Sequence, residues 1–368
     1  MKIPFVDLFA QYETIKPEID EAINSVIQKS AFVRGEFVEK FEEEYSIQMG
    51  TKHCISCANG TDALYIAMKA LSIKPGDEVI TTAQSWISTS ETVSQHGATP
   101  VFVDIDPVTH TIDPDLITKK ITEKTVGVIP VHLYGQSANL KSIKKICDKH
   151  SLWLVEDCAQ AHLAEHHGKL VGTYGDMATW SFYPGKNLGA MGDAGAITTN
   201  DPSLATTAAK FARHGGIVKG EHEIEGINSR MDGIQAAILS VKLTHLPRWT
   251  QERKTLASKY DRELGKLNSV ITPSVLSENS HVYHLYVIQS PERDSLKEEL
   301  ASMGVPTVIN YKQSLPFLPA YSRFQHLKSD FPATAEAQQK ILSLPIFPEM
   351  TPEQQDYIID CISKLISR

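Results

Sequence analysis

Short apolar runs that alternate with helix-length polar segments predict an α/β protein: a large domain with a mostly parallel sheet flanked by helices, plus a smaller α+β C-terminal domain. Two further observations support this. At 368 residues the chain exceeds one small domain, and its 42% hydrophobic and 22% charged residues are those of an ordinary globular core and surface. The alternation weakens beyond the middle of the chain, where proline-rich segments take over, so the expected domains are 1–246 and 247–368.

Ile19, Ala22, Ile23, Val26 and Ile27 share one helical face between Pro17 and Ile27, and Phe37 to Tyr45 repeats the pattern with acidic residues outside. His53 to Ala58 is a strand candidate. Asn59-Gly60-Thr61-Asp62 then opens an apolar helix ending near Leu71. Strands follow at Glu78–Thr82, Pro100–Asp104, Val126–Val131 and Leu152–Val155. Leu204 to Ala212 is helical, a glycine-rich loop spans Arg213 to Gly226, and an apolar helix runs from Ile234 to Leu246. Proline at 247 marks the start of a second helix, to Leu267, which links to the smaller domain. There Tyr283–Ile288 reads as a strand, Ser295–Met303 as a helix, and Pro352 starts a terminal amphipathic helix.

The net charge of -8 argues against nucleic-acid and anionic-membrane partners. No apolar run reaches the roughly 20 residues of a spanning helix, and the start MKIPFVDLFAQYETIK turns polar too early for a secretory signal, so a cytoplasmic location is expected. Five cysteines form no disulfide framework. Cys54 and Cys57 lack the further ligands of a zinc site and read as buried thiols, while His166 and His167 read as solvated loop histidines, so no metal is expected.

The chemistry concentrates at Ser181–Asp193, SFYPGKNLGAMGD, where Lys186 stands among Pro184, Gly185, Gly189 and Gly192 after an apolar, strand-like run. A lysine held in such a turn either is an exposed loop lysine or, desolvated, has a free amine able to attack carbonyls. Asp157 ends a strand among small apolar residues, where a carboxylate needs a cationic or proton-donating partner or serves as a salt bridge or helix cap. The helix start at Gly60 and Thr61 directs free N–H groups outward, suited to a phosphate or to plain capping. Trp86 and Gln160 fall at strand ends, where parallel sheets gather ligands. Asn228 and Arg230, ahead of the apolar helix, either reach another subunit or a ligand phosphate or belong to a mobile surface loop.

Phosphate-type turn, aromatic, strand-end aspartate and loop lysine, in that order, meet the needs of a pyridoxal phosphate site. Over nearly its whole length the sequence resembles the DegT/DnrJ/StrS nucleotide-sugar aminotransferases, of aspartate-aminotransferase-like, fold type I architecture. The matching stretches are PFVDL, NGTDAL, GDEVIT, PVFVDID, EDCAQAH, SFYPGKNLGAMGD, RHG before GINSRMD, YHLYVI and ILSLPIFPEMT.

The resemblance implies that Lys186 is the Schiff-base lysine and proton carrier, and that Asp157 pairs with the pyridine nitrogen. Trp86 would stack on the ring and Gln160 would bond its phenolic oxygen. Gly60, Thr61 and Ser181 would hold the phosphate, with Asn228 reaching it from the neighbouring subunit of a homodimer. His214 and Arg230 match positions near that interface. The implied reaction moves an amino group from glutamate, through pyridoxamine phosphate, to a keto carbon of a dTDP- or UDP-linked deoxysugar. The YPGKNLGA wording favours carbon 3 over carbon 4. Related dehydratases carry histidine in place of the lysine, and a silent cofactor-binding regulator is a further alternative. Where relatives usually read His-Tyr-Pro, this chain has Asn310-Tyr311-Lys312, so the resemblance does not define the sugar or nucleotide contacts of Tyr311 and Lys312.

Overall fold

The computed structural model describes residues 1–366. Seven strands form the main sheet: β1 His53–Cys57, β2 Glu78–Thr82, β3 Thr99–Val103, β4 Thr125–Ile129, β5 Trp153–Asp157, β6 Met177–Ser181 and β7 Gly195–Thr199. Their spatial order is β1-β7-β6-β5-β4-β2-β3. β2 pairs in parallel with β3 and β4, and β5 in parallel with β4 and β6. Only β7 runs against the rest, antiparallel to both β6 and β1.

Helices cover both faces, as the apolar character of the strands requires. On one side α1 Leu8–Thr14 leads into α2 Lys16–Lys29 and α3 Glu36–Gln48. Phe41 and Tyr45 of α3 pack with Trp180 and Phe182 into an all-buried aromatic cluster. The same face carries α6 Leu140–His150, whose Ile143 and Cys147 pack on Ile80, Val128 and Leu154, and on the other side lie α4 Gly60–Ala70, α5 Ser88–Gln95 and α7 Pro202–Ala212. Leu64 and Ile66 of α4 share a core with Val79, Val155, Ile197 and Phe211.

The expected break at Pro247 is corrected, since α8 runs unbroken over Gly233–Leu264 with Pro247 inside it. Proline removes one helical hydrogen bond and crowds the preceding turn. Here packing outweighs that loss, because α8 buries Leu239, Leu243 and Leu246 on one side of Pro247 and Trp249, Ala257 and Tyr260 on the other. The second core joins Tyr260 and Leu264 to β8 Tyr286–Gln289, α9 Arg293–Ser302, β9 Ile341–Leu344 and α11 Pro352–Ile366, while α10 Pro332–Lys340 packs Ala337 in a separate cluster with Leu285, Val287 and Ile341. β8 and β9 pair antiparallel. β8 starts later than expected because Tyr283 has φ 47°, which an extended strand cannot adopt.

His166 is also corrected: it is buried, on a short strand Glu165–His166 pairing with Asn279–Ser280, and its Nδ1 lies 2.7 Å from Asn279 Oδ1. His167 is exposed. All five cysteines are free and buried.

Candidate active site

β5 delivers Asp157 to the edge of a cavity of about 910 Å³, where the side chain is 4% exposed. Thr89 Oγ1 donates to Asp157 Oδ2 at 2.8 Å and the Ala159 N–H to Oδ1 at 3.2 Å. Burial pushes the carboxyl above its ordinary range, against the pull of these two bonds and of the Lys186 charge.

Lys186 lines the same cavity from the turn after β6. The turn is drawn tight: the Lys186 N–H donates to Tyr183 O at 2.8 Å, and the buried Lys242 of α8 donates from Nζ to Gly189 O at 2.8 Å. Gly189 is obligatory, since a Cβ there would stand 2.2 Å from Pro184 O. Desolvation lowers the Lys186 amine to about 8, with Asp157 countering in part. Its Nζ makes no hydrogen bond among the described residues. A nucleophilic amine and a buried carboxylate therefore face one space.

The third wall is the start of α4. Asn59 caps it by accepting from the Asp62 N–H at 2.8 Å, and Thr61 Oγ1 lies 2.7 Å from Ser88 Oγ. Gly60 abuts Ser181 with no room for a side chain, so the first-turn N–H groups and the Ser181 hydroxyl share one edge of the cavity. A helix start of this kind suits an anion.

Gln160 is held by its own amide: Oε1 accepts from the Tyr134 N–H at 2.7 Å, and Nε2 donates to Tyr311 Oη at 2.9 Å. Tyr311 in turn lies against Trp86, with ring centroids 5.7 Å apart and planes at 47°. Trp86 is 59% exposed at the rim.

Gly60, Thr61, Trp86, Asp157, Gln160, Ser181, Lys186 and Tyr311 thus meet in one cavity. Four candidates do not. Lys312, Asn228 and His214 are exposed elsewhere, and Arg230 is partly buried where its charge, with that of Arg213, acts on Arg34. Sequence reasoning missed Thr89, three residues after Trp86, and also Arg253 and His284 on the cavity wall. Thr89 could have been found from its place beside Trp86 after a strand end; Arg253 carries no local signal, because only tertiary burial distinguishes it from its neighbours Glu252 and Lys254. A buried trio of His132, Glu156 and Cys158 beside the sheet has metal-like spacing. Its carboxylate is already filled by His132 Nε2 and the N–H groups of Gly172, Tyr174 and Gly175, so the trio acts as a structural brace.

Residues 13–363 match the model of the DegT/DnrJ/EryC1/StrS aminotransferase family. The chain belongs to that family. Among its DegT/DnrJ/EryC1/StrS relatives, a "pleiotropic regulatory protein" of Geobacillus stearothermophilus is 44% identical over 99% of this chain and 98% of its own length. The dTDP-3-amino-3,4,6-trideoxy-alpha-D-glucose transaminase of Streptomyces venezuelae is 37% identical over 100% and 97%. The UDP-2-acetamido-2-deoxy-3-oxo-D-glucuronate aminotransferase of Pseudomonas aeruginosa is 40% identical over 94% and 95%. The crystal structure of S. venezuelae DesV, in complex with a ketimine intermediate, superposes with a TM-score of 0.97 at 38% identity, covering 100% of this chain and 99% of that one. NtdA of Bacillus subtilis, solved with bound cofactor PMP, gives 0.93 at 32% identity, covering 100% and 86%. The fold is aspartate-aminotransferase-like, fold type I, and pyridoxal phosphate is the cofactor of the family's aminotransferases.

Proposed function

We propose that this protein uses pyridoxal phosphate to transfer an amino group from glutamate to carbon 3 of a dTDP- or UDP-linked keto-deoxysugar. The observation that carries the reading is the convergence of Lys186, Asp157 and the start of α4 on one cavity. The residues fit the cofactor: an amine lowered to about 8, a buried carboxylate wanting a protonated partner, and an anion-suited helix start cleared by Gly60. When bound, the cofactor supplies an electron sink for the carbon whose amine is exchanged.

In this reading Lys186 would hold the cofactor, and its Nζ would take and return the proton on the reacting substrate carbon. Asp157 would keep the ring nitrogen protonated, Trp86 would cover the ring, and the second N–H of the Gln160 amide would reach the phenolic oxygen. Gly60, Thr61 and Ser181 would hold the phosphate. Asn228, exposed outside its own chain's cavity, would serve the neighbouring site in a homodimer, with His214 and Arg230 near that interface. Tyr311 and Lys312 would meet sugar or nucleotide. Domains 1–246 and 247–368 would be joined by α8 and enclose the cavity between them. No helix among the described residues is long and apolar enough to cross a membrane, which accords with a cytoplasmic enzyme.

Carbon 3 is supported by the relatives named for 3-amino and 3-oxo sugars. The relative named as a regulator favours a second reading, cofactor binding without turnover. Both are tested by incubating the purified protein with pyridoxal phosphate and glutamate, then with a panel of 3-keto and 4-keto sugar nucleotides, and weighing the products by mass spectrometry. An aminated 3-keto sugar is expected, lost in Lys186→Ala. Turnover by that variant would sink the mechanism, amination only at carbon 4 would move the position, and cofactor binding with no product would favour the regulator. Full activity in dilute monomers would remove the role of Asn228.

A further inference from the structure

Two polar groups on the cavity wall have no task in the mechanism above. Arg253, from the second half of α8, lines the cavity and is 4% exposed. Its Nη1 donates to Tyr283 O at 3.1 Å and Ile346 O at 2.9 Å, and its guanidinium forms no salt bridge among the described residues. Burial lowers its pKa to about 10, with only a longer-range field from Glu349 opposing. Beside it, His284 also lines the cavity, and its Nδ1 is buried without a hydrogen-bond partner. The charges of both Lys186 and Arg253 act on His284, which puts the imidazole in the neighbourhood of both cations.

A buried guanidinium offers five N–H donors, and two carbonyl contacts through one nitrogen leave most of that fork unused. A buried cation without an anion is costly, and the planar fork matches a carboxylate in two-point fashion. The charged residues lining the cavity are Asp62, Asp157 and Asp193 against Lys186 and Arg253. With the Lys186 amine assigned to the cofactor, Arg253 is the remaining cation there that this chain supplies.

We propose that Arg253, with His284 beside it, anchors a substrate carboxylate in this cavity. The inference rests on the aminotransferase reading and deepens it. The carboxylate has two possible sources, the amino-acid donor or a uronic-acid keto sugar, and the arms of the test separate them.

The test uses cofactor-loaded enzyme, with Arg253→Gln and Arg253→Lys as variants and the melting midpoint and cofactor absorbance as controls for folding. First, calorimetry measures glutarate, a dicarboxylate that cannot react, against its neutral diamide. Arg253→Gln is expected to weaken glutarate about 30-fold or more and to leave the diamide unchanged, with Arg253→Lys between the two. This arm stands even if the enzyme transfers no amine, so it fails independently of the proposed function. Second, single half-reactions compare glutamate with a keto-sugar nucleotide with and without a carboxylate. A KM increase confined to glutamate identifies the donor; one confined to the uronic sugar identifies the acceptor. Equal glutarate affinity in parent and folded Arg253→Gln, or, should that variant not fold, in parent and Arg253→Lys, overturns the proposal.

Discussion

A methyl group on Gly60 would stand 2.7 Å from the Ser181 Cβ, closer than real side-chain carbons approach. The first turn of α4 and the end of β6 are therefore locked together at the edge of the cavity. Gly60→Ala must push them apart, at a cost of about 1–3 kcal/mol. The expected result is a lower melting midpoint together with weaker cofactor binding, read by absorbance titration. Unchanged binding would show that this edge does not hold the phosphate.

Asp157 is buried, and its carboxyl sits above its ordinary range. Asp157→Asn keeps an acceptor for Thr89 while removing the charge, so the cofactor-free variant should be at least as stable as the parent at pH 7. Its turnover should fall about 100-fold or more if the carboxylate holds the ring nitrogen's proton.

Thr89 tunes that carboxylate through its 2.8 Å bond to Oδ2. Hydrogen bonding to the charged form lowers an acid's pKa, so Thr89→Val should raise it further and protonate Asp157 at higher pH. Cofactor affinity followed against pH should then fall off at a higher pH than in the parent. An unmoved acid limb would separate Thr89 from the ionisation of Asp157.

The Lys186 amine is lowered from 10.5 to about 8 by burial. Below pH 8 it is charged in both folded and unfolded chains, and the fold bears the desolvation cost. Between pH 8 and 10.5 the unfolded chain binds more proton, so the stability of the cofactor-free parent rises with pH. Lys186→Met should therefore be more stable by about 3 kcal/mol at pH 7, with the advantage vanishing above pH 10.5. Denaturant titration at several pH values measures this, and a constant difference would contradict it.

The Glu156 carboxylate is surrounded by His132 Nε2 at 3.1 Å and the N–H groups of Gly172, Tyr174 and Gly175 at 2.7, 2.8 and 2.7 Å. Burial pushes it up, but these bonds win and hold it below its ordinary 4.5. The stability it contributes is present above pH 4.5 and is lost as pH falls through the folded value. Glu156→Gln should cost about 3 kcal/mol or more at neutral pH and flatten the acid limb of the stability curve.

The sequence by itself determined the α/β alternation and the places of most elements, and it singled out Lys186, Asp157 and Gly60, which the fold brings to one cavity, because each leaves a local signature: a period, a glycine turn, or a polar residue closing an apolar strand. The strand Glu78–Thr82 and the helix starts at Gly60 and Pro352 fall where local capping and periodicity put them. What only the tertiary structure decided is whatever depends on burial by distant segments. Pro247 breaks no helix because packing on both halves of α8 outweighs one lost backbone bond. His166 is buried because Asn279, far along the chain, pairs with it. The reversal of β7 is a matter of pairing, invisible in an apolar run that reads the same in either direction. Tyr311 and Lys312 are adjacent in sequence, yet Tyr311 reaches Gln160 inside the cavity while Lys312 faces solvent. Arg253, a charged residue on a helix rich in charge, becomes a buried cavity residue only because the distant segments at Tyr283 and Ile346 pack around it. Local sequence fixes backbone preference, whereas desolvation is a property of the whole fold.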